Sequence, residues 1–238
     1  MPQTVTLRGV TAVQARLSLG ADARGDVLVV LPTNLGYWFS LLDLDDGWSV
    51  PRAVDAGAAL AVAPGGDAIS VFEALDGGVR ANRFRSGGWA GTEPVAAAAG
   101  DPATSPAVTL DDAGRSVAVW QSNNAQEIWA SRHEAGGAWS APIRVATPRG
   151  FTPRVVADNA ANALAVWTEL DANLSIRGIR AARYANGTWD APQRIQDDPS
   201  GQPVPTGLVA DGAGNVLVVW YEVRNDRVEV WARRFVAP

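Results

Sequence analysis

Short hydrophobic runs recur along the chain at intervals of about 47 residues, with polar turns between them. Three of these runs end in Val-Trp, at Trp120, Trp167 and Trp220, and two degenerate copies end at Leu31 and Phe72. Apolar and polar residues alternate in the short strand-like segments, which predicts β-strands, and no segment shows a helical period of useful length. The pattern therefore predicts an all-β chain built from five copies of one unit.

An aspartate and a small residue stand at fixed distances before the end of each run. The small residue comes six positions before the end and the aspartate nine positions before it, with Ala63 as the exception. Because Asp caps its own turn and Gly accepts a positive φ, this spacing predicts a tight hairpin in every copy. The aspartates are Asp22, Asp111, Asp158 and Asp211, and the small residues are Gly25, Gly66, Gly114, Ala161 and Gly214.

A further strand with a proline before an aliphatic residue ends each complete copy. The fifth copy lacks this strand, because the chain stops at Pro238 shortly after Phe235. The segment from Pro2 to Val5 repeats the Pro-x-x-aliphatic pattern of the missing strand. An open ring of sheets would leave two unpaired edges, so we expect this N-terminal segment to complete the last sheet. The tryptophans that open the outer strands are Trp48, Trp89, Trp139 and Trp189.

These features predict one domain, 1–238, folded as a five-bladed β-propeller with four antiparallel strands in each blade. The N-terminal strand is expected to close the last blade. The blades are predicted at approximately 15–54, 58–95, 106–145, 153–195, and 205–238 together with 2–5.

Composition and charge exclude several classes of function. The formal net charge is −5 and no basic run is present, so we expect no nucleic-acid partner. The chain has no cysteine, which excludes disulfides and thiolate sites. No apolar run approaches the roughly 20 residues that span a bilayer, so we expect no membrane insertion. We expect a monomer that is cytoplasmic or, if a leader has been removed, secreted or attached to the cell surface.

The acidic residues and the single histidine do not form a recognisable catalytic or metal site. Each copy offers one hairpin aspartate, whereas Ca²⁺ needs six to eight oxygens that converge on one point. His133 takes the place of Phe84 and Tyr184 in other copies, so we expect it to be a packing residue. We therefore predict no catalytic residue, no metal and no cofactor.

One position on the third strand carries arginine or an aromatic residue in every copy, beside a uniformly apolar neighbour. Period-2 alternation places the two rows on opposite faces, and Arg with aromatic rings suits sugars or peptides. The alternative is that these arginines stack on aromatic rings across blade interfaces. The candidate binding residues are Phe39, Arg80, Trp129, Arg180 and Trp231, together with Asn123, Asn124, Asn225 and Asp226 in variable loops of the same rim.

Two hairpins resemble a known family. Tyr184-Ala-Asn-Gly-Thr-Trp189 and His133-Glu-Ala-Gly-Gly-Ala-Trp139 are similar to the Asp-box hairpins of the sialidase superfamily, where the hairpin is structural. In repeat length and blade number the chain resembles the tachylectin type of sugar-binding ring, and the repeat resembles those of bacterial secreted and surface proteins. These resemblances imply a propeller and a ligand without naming the ligand.

The sequence therefore favours a non-enzymatic recognition module that binds glycans weakly at one rim of the propeller. Two alternatives stay open, namely a protein-interaction or scaffold domain of a larger surface protein, and a glycoside hydrolase. A hydrolase would need an acidic pair that breaks the repeat, and the sequence shows no such pair on an inner strand.

Overall fold

The computed structural model describes residues 17–55, 57, 59–98, 100–146, 149–160, 162–196, 203–211, 213–224 and 227–236. Within these ranges the chain forms β-strands and turns, and it forms no helix. The strands make five antiparallel sheets, each following the previous one along the sequence. The all-β prediction is confirmed, and the architecture is a five-bladed β-propeller.

The first three sheets contain the strands β1 to β13 in chain order. The first sheet contains β1 (Ser18–Ala21), β2 (Val27–Thr33), β3 (Gly36–Asp43), β4 (Gly47–Trp48) and β5 (Arg52–Val54). The second contains β6 (Ala59–Val62), β7 (Ala68–Glu73), β8 (Val79–Arg85) and β9 (Gly88–Ala96). The third contains β10 (Ala103–Leu110), β11 (Ser116–Ser122), β12 (Ile128–His133) and β13 (Ile143–Ala146).

The remaining two sheets repeat this order. The fourth contains β14 (Gly150–Ala157), β15 (Ala163–Leu170), β16 (Ile176–Ala185), β17 (Thr188–Trp189) and β18 (Gln193–Arg194). The fifth contains β19 (Val204–Ala210), β20 (Val216–Arg224) and β21 (Arg227–Phe235). The segment 2–5, predicted to add a fourth strand to the fifth sheet, lies outside the described residues.

The outer strand is broken by proline in two of the sheets. In the first sheet β4 and β5 both pair with β3, and Pro51 lies between them. In the fourth sheet β17 and β18 both pair with β16, and Pro192 lies between them. Proline has no amide hydrogen to donate to the ladder, which explains why Pro51 and Pro192 interrupt these outer strands.

Each central strand buries both of its faces, because the sheets stack face to face. All seven residues of β11 are buried. Val117 and Val119 belong to a cluster shared with the fourth sheet, whereas Ala118 and Trp120 belong to a cluster shared with the second sheet. Alternate residues of one strand therefore serve two interfaces, which explains why the runs are continuously apolar.

The predicted aspartate hairpins are confirmed by their hydrogen bonds. Asp111 Oδ1 accepts the amides of Ala113 and Arg115, at 3.0 and 2.8 Å, and Gly114 has a φ of 78°. The carboxylates of Asp22, Asp158 and Asp211 accept backbone amides two and four residues on in the same way. This role as a turn cap matches the one expected from the spacing.

Aromatic rings and arginines join neighbouring sheets away from the central strands. His133 is buried and packs edge-on against Trp139 at 5.4 Å, so its predicted packing role is confirmed. The Arg132 guanidinium lies 4.1 Å from the ring centroid of Tyr184 in the next sheet and donates to its hydroxyl at 2.5 Å. Arg132, on β12, thus stacks on an aromatic ring across the interface between the third and fourth sheets.

We expect Asp158→Ala to lower the free energy of unfolding by about 1–3 kcal/mol, because the amides of Ala160 and Asn162 and the Asn162 side chain lose the buried carboxylate that accepts them. Urea denaturation of both proteins measures the difference. Asp45→Ala is the control, since Asp45 is exposed and its carboxylate has no hydrogen-bond partner within the described part of the chain. Equal losses in the two variants would contradict the capping role.

Acid should destabilise the hairpins. Burial raises the pKa of Asp22, but the amides of Asp26 and Arg24 and the Arg24 guanidinium outweigh it, so the net pKa is lowered. The side chain of Asn215 and its backbone amide lower the pKa of Asp211. A carboxyl with a lowered folded pKa stabilises the fold fully above its unfolded pKa of about 3.9, and this contribution is lost as pH falls through the folded pKa.

As far as Asp22 and Asp211 determine it, the free energy of unfolding should be constant between about pH 7 and about pH 5. It should fall below about pH 4. Urea titrations at several pH values measure this profile. Asp211→Asn should show a smaller decline between about pH 5 and pH 3 than the parent, because it removes one linked proton. An identical decline would show that Asp211 does not contribute.

Candidate functional site

The strand register corrects the predicted row of binding residues in the first sheet. Arg80 pairs with Phe72, Trp129 with Trp120, and Arg180 with Trp167. In the first sheet the residue opposite Leu31 is Trp38, whereas Phe39 lies opposite Val30. The row is therefore Trp38, Arg80, Trp129, Arg180 and Trp231.

Phe39 belongs to the core instead of the row. It is 7% exposed and packs edge-on against Phe84 and Trp89 of the second sheet. The prediction that Phe39 shares the face of Arg80 was wrong, because the residue opposite Leu31 comes seven positions later, at Trp38, whereas the residue opposite Phe72 comes eight positions later, at Arg80. Trp38 takes its place and is half-buried.

The other candidate residues fall into three environments. Arg80 and Arg180 are half-buried and line grooves between sheets, while Trp129 is half-buried and packs on a core cluster. Trp231 is 46% exposed on β21. Asn123 and Asn124 are exposed on the loop after β11, and Asn225 and Asp226 lie outside the described residues.

A groove of about 690 Å³ lies between the first and second sheets, and we call it the first groove. Tyr37 and Phe72 supply aromatic surface, and Leu35 and Leu75 supply exposed apolar tips. The full wall contains Leu35, Gly36, Tyr37, Ala53, Val54, Asp55, Phe72, Glu73, Ala74, Leu75, Asp76, Arg80 and Thr92.

The polar groups of the first groove are held in place by short-range contacts. Asp76 accepts the Gly78 amide at 3.0 Å and the Arg80 guanidinium at 2.9 Å. The Gly78 amide, followed by Arg80, lowers the pKa of Asp76, so this carboxyl is ionised at neutral pH. Glu73 accepts the Ser105 amide of the third sheet at 2.8 Å.

The corresponding space between the third and fourth sheets is a groove of about 540 Å³, the second groove. Trp167 and Arg180 stand where Phe72 and Arg80 stand in the first groove. Glu169 accepts Arg180 at 2.7 Å. The full wall contains Arg144, Val145, Ala146, Arg149, Trp167, Glu169, Leu170, Arg180 and Pro192.

One repeat position distinguishes the open grooves from a filled interface. In the third sheet Trp129 occupies the position of Arg80 and packs against the cluster that contains Val95 and Trp120. A large indole can fill the space that a guanidinium leaves to solvent, because arginine extends its charged end toward water. Arg80 and Arg180 are the two arginines at this position, and each of them lines an open groove.

Backbone strain and loop anchoring occur at the same rim. Ser105 and Thr152 have φ values of 52° and 46° at irregularities in the innermost strands β10 and β14. Asp101 accepts the amides of Asn124 and Ala125, at 2.8 and 3.0 Å, which fixes the loop after β11. The rim is thus a framework held by hydrogen bonds.

Several groove residues were missed in the sequence. Tyr37, Asp76, Glu169 and Arg149 come from loops or strand ends whose length differs between copies, so the repeat could not align them. Arg144 could have been found, because Arg194 recurs at the same place in the next outer strand.

Within the described ranges, no three or more histidine, aspartate or glutamate side chains are grouped to hold a metal ion. No helix long and apolar enough to cross a bilayer occurs in the part of the chain that the structure describes.

No protein-family model matches the sequence, and no curated protein sequence matches it. The fold is similar to the BP39L lectin from Burkholderia pseudomallei, with a TM-score of 0.67 and 13% identity over 98% of this chain and 70% of that one. It is also similar to a mutant of the Aleuria aurantia lectin AAL in complex with Fucα1-6GlcNAc, with a TM-score of 0.60 and 15% identity over 91% and 74%.

A PL25 ulvan lyase bound to -[GlcA(1-4)Rha3S]- has a TM-score of 0.64 at 7% identity, covering 95% of this chain and 72% of the lyase. The neighbours thus include β-propeller lectins and a polysaccharide-cleaving enzyme. At these identities the similarity shows the fold alone, and the chain is a β-propeller of the kind that also carries lectins.

The groove arginines should be replaceable without loss of the fold. Side-chain exposure is 41% for Arg80 and 34% for Arg180, so each ion pair is worth at most about 1 kcal/mol. We expect Arg80→Gln and Arg180→Gln to melt within about 4 °C of the parent. Thermal unfolding followed by circular dichroism measures this, and a larger drop would show that the arginines support the core.

Proposed function

We propose that the protein is a non-enzymatic module that binds glycans in the grooves between its sheets. The observation that carries this proposal is the first groove, which combines the Tyr37 ring with the Arg80 guanidinium and fixed carboxylates. Sugars present an apolar ring face and a rim of hydroxyls, and such a site offers stacking and planar hydrogen bonding to them.

The size of the grooves also favours a small ligand. Both volumes, about 690 and 540 Å³, fall within the range of roughly 300–1,000 Å³ that is usual for small-molecule sites. The lectin neighbours raise the expectation of a glycan, and the AAL complex makes fucosylated glycans sensible probes. The grooves are open at one rim, where an oligosaccharide could extend beyond them.

The charge state of Asp76 argues against a role of this residue as a catalytic acid. A glycosidase needs one carboxylic acid with a raised pKa to protonate the leaving group. The pKa of Asp76 is lowered by the Gly78 amide and then by Arg80. Its two partners instead hold the carboxylate in one orientation, which suits recognition of hydroxyl groups.

A protein-binding role is the second candidate, and one observation favours it. Leu35, Leu75 and Leu174 are exposed on the loops between the second and third strands, at 66%, 111% and 61%. Apolar side chains at loop tips on a single rim are a feature of interaction surfaces. A scaffold domain of a surface protein would bind through these tips, of which Leu174 lines neither groove.

A glycan array that includes fucosylated and acidic glycans, followed by calorimetry on the hits, tests the proposal. We expect dissociation constants in the millimolar to micromolar range, and Tyr37→Ala and Arg80→Gln should each weaken a first-groove ligand about tenfold. Loss of a stacked ring or of a charge-assisted hydrogen bond is the physical reason.

Arg85→Gln is the matched control, because Arg85 lies on the same strand as Arg80 but at its opposite end. It is half exposed and paired with Asp67 at 3.5 Å, so its replacement removes an equal charge. The absence of any response at millimolar sugar would overturn the proposal. A protein partner that is lost on Leu174→Ser, at a tip outside both grooves, would support the second candidate.

A further inference from the structure

The two grooves have opposite charge, although both contain the same pair of repeat positions, Phe72 and Arg80 in the first and Trp167 and Arg180 in the second. The first groove places three carboxylates against one arginine among its lining residues, whereas the second places three arginines against one glutamate. The acidic side chains are Asp55, Glu73 and Asp76, and the basic ones are Arg144, Arg149 and Arg180. The second groove therefore differs in the ligand that it can take.

Glu169 of the second groove and the neighbouring Glu127 are already engaged in ion pairs. Glu169 accepts Arg180 through one carboxylate oxygen at 2.7 Å and Arg194 through the other at 2.9 Å. Arg144 donates to Glu127 at 2.9 Å. A guanidinium has five N–H donors, so each of these arginines keeps donors for a ligand after its ion pair is formed.

Arg149 is the clearest sign of a binding role. Within the part of the chain that the structure describes, it has no ion pair, although it lines the groove and is half-buried. Its φ is 76°, a region that costs energy for any residue other than glycine. Its carbonyl accepts the Leu170 amide at 2.9 Å, so the backbone is held there. Strained residues of this kind cluster at ligand sites.

The rest of the protein offers anions no general attraction. The formal net charge is −5, so a positive field at the second groove is local and opposed by the surroundings. Pro192 is half-buried and supplies apolar surface in the same groove against which a sugar ring can pack, whereas Val145 and Trp167 line the groove as buried core residues. The site thus joins an apolar wall to a set of guanidinium groups.

Building on the proposed glycan binding, we propose that the second groove binds saccharides that carry a carboxylate or a sulfate ester. Arginine recognises both groups through paired parallel hydrogen bonds. Arg149 supplies a charge that has no ion pair among the described residues, and Arg144 and Arg180 supply further donors on either side of the groove.

Calorimetry with matched pairs of saccharides tests this proposal. Trigalacturonic acid is compared with its trimethyl ester, and a κ-carrageenan tetrasaccharide with its desulfated form, so that carboxylate and sulfate are separated. We expect the anionic member of at least one pair to bind about tenfold more tightly, the factor that corresponds to one charge-assisted hydrogen bond. Inorganic tripolyphosphate serves as the anion that carries no sugar.

Arg149→Gly is the decisive variant, because glycine adopts the same φ without strain and keeps the backbone carbonyl. Its melting temperature should equal or exceed that of the parent, while the preference for the anionic saccharide should fall to about twofold. Arg144→Gln should reduce the preference similarly. Arg85→Gln, at the opposite end of its strand from the groove rim, should leave the preference unchanged.

The outcomes separate this inference from the proposed function. Equal affinity for both members of each pair, tripolyphosphate as strong a ligand as the saccharides, or an unchanged preference in Arg149→Gly would overturn the inference. Neutral saccharides that still bind and depend on Tyr37 would then leave the proposed function standing. If neither neutral nor anionic saccharides bind, the proposed function falls and the inference falls with it.

Discussion

The stacking of each sheet on its neighbours through both faces is the constraint on which the rest of this structure depends. A central strand such as β11 gives alternate residues to two different interfaces, so it has no face that is free to vary. Truncating a buried indole such as Trp167 would cost about 3–5 kcal/mol, against a usual domain stability of about 5–15 kcal/mol. Variation that serves binding is therefore confined to strand ends and loops.

The features that could be predicted from the sequence depend on short, constant spacings. Asp111 and Gly114 lie within one hairpin, so their roles follow from local turn chemistry in any copy. His133 could be assigned to packing because it precedes the turn to Trp139 as Tyr184 precedes the turn to Trp189. The fold could be predicted because these local signals recur in each copy and agree with the hydrophobic pattern.

Arg80 and Arg180 were predicted as candidate binding residues, but Tyr37 and Asp76 could not be, because the loop between the second and third strands changes length from copy to copy. Counting from Leu31 therefore placed Phe39 in the wrong row, whereas the ladder places Trp38 there. The sequence contains a better signal, the pair Ser40 and Ser49, whose spacing Ser131 and Ser140 repeat in the third sheet. In the structure the first serine of each pair donates a hydrogen bond to the second. Residues such as Arg149 come from a connection between sheets and have no repeat partner to reveal them.

The position shared by Arg80, Trp129 and Arg180 is where the packing constraint relaxes. Trp129 there contributes to a core cluster, whereas the two arginines carry half-exposed ion pairs that are each worth at most about 1 kcal/mol. Exchange of the groove side chains therefore changes charge and shape with little effect on the stacked sheets. The core does not depend on these arginines. The two grooves can therefore carry opposite charges on the same arrangement of sheets, and the specificity of each groove can change independently of the fold.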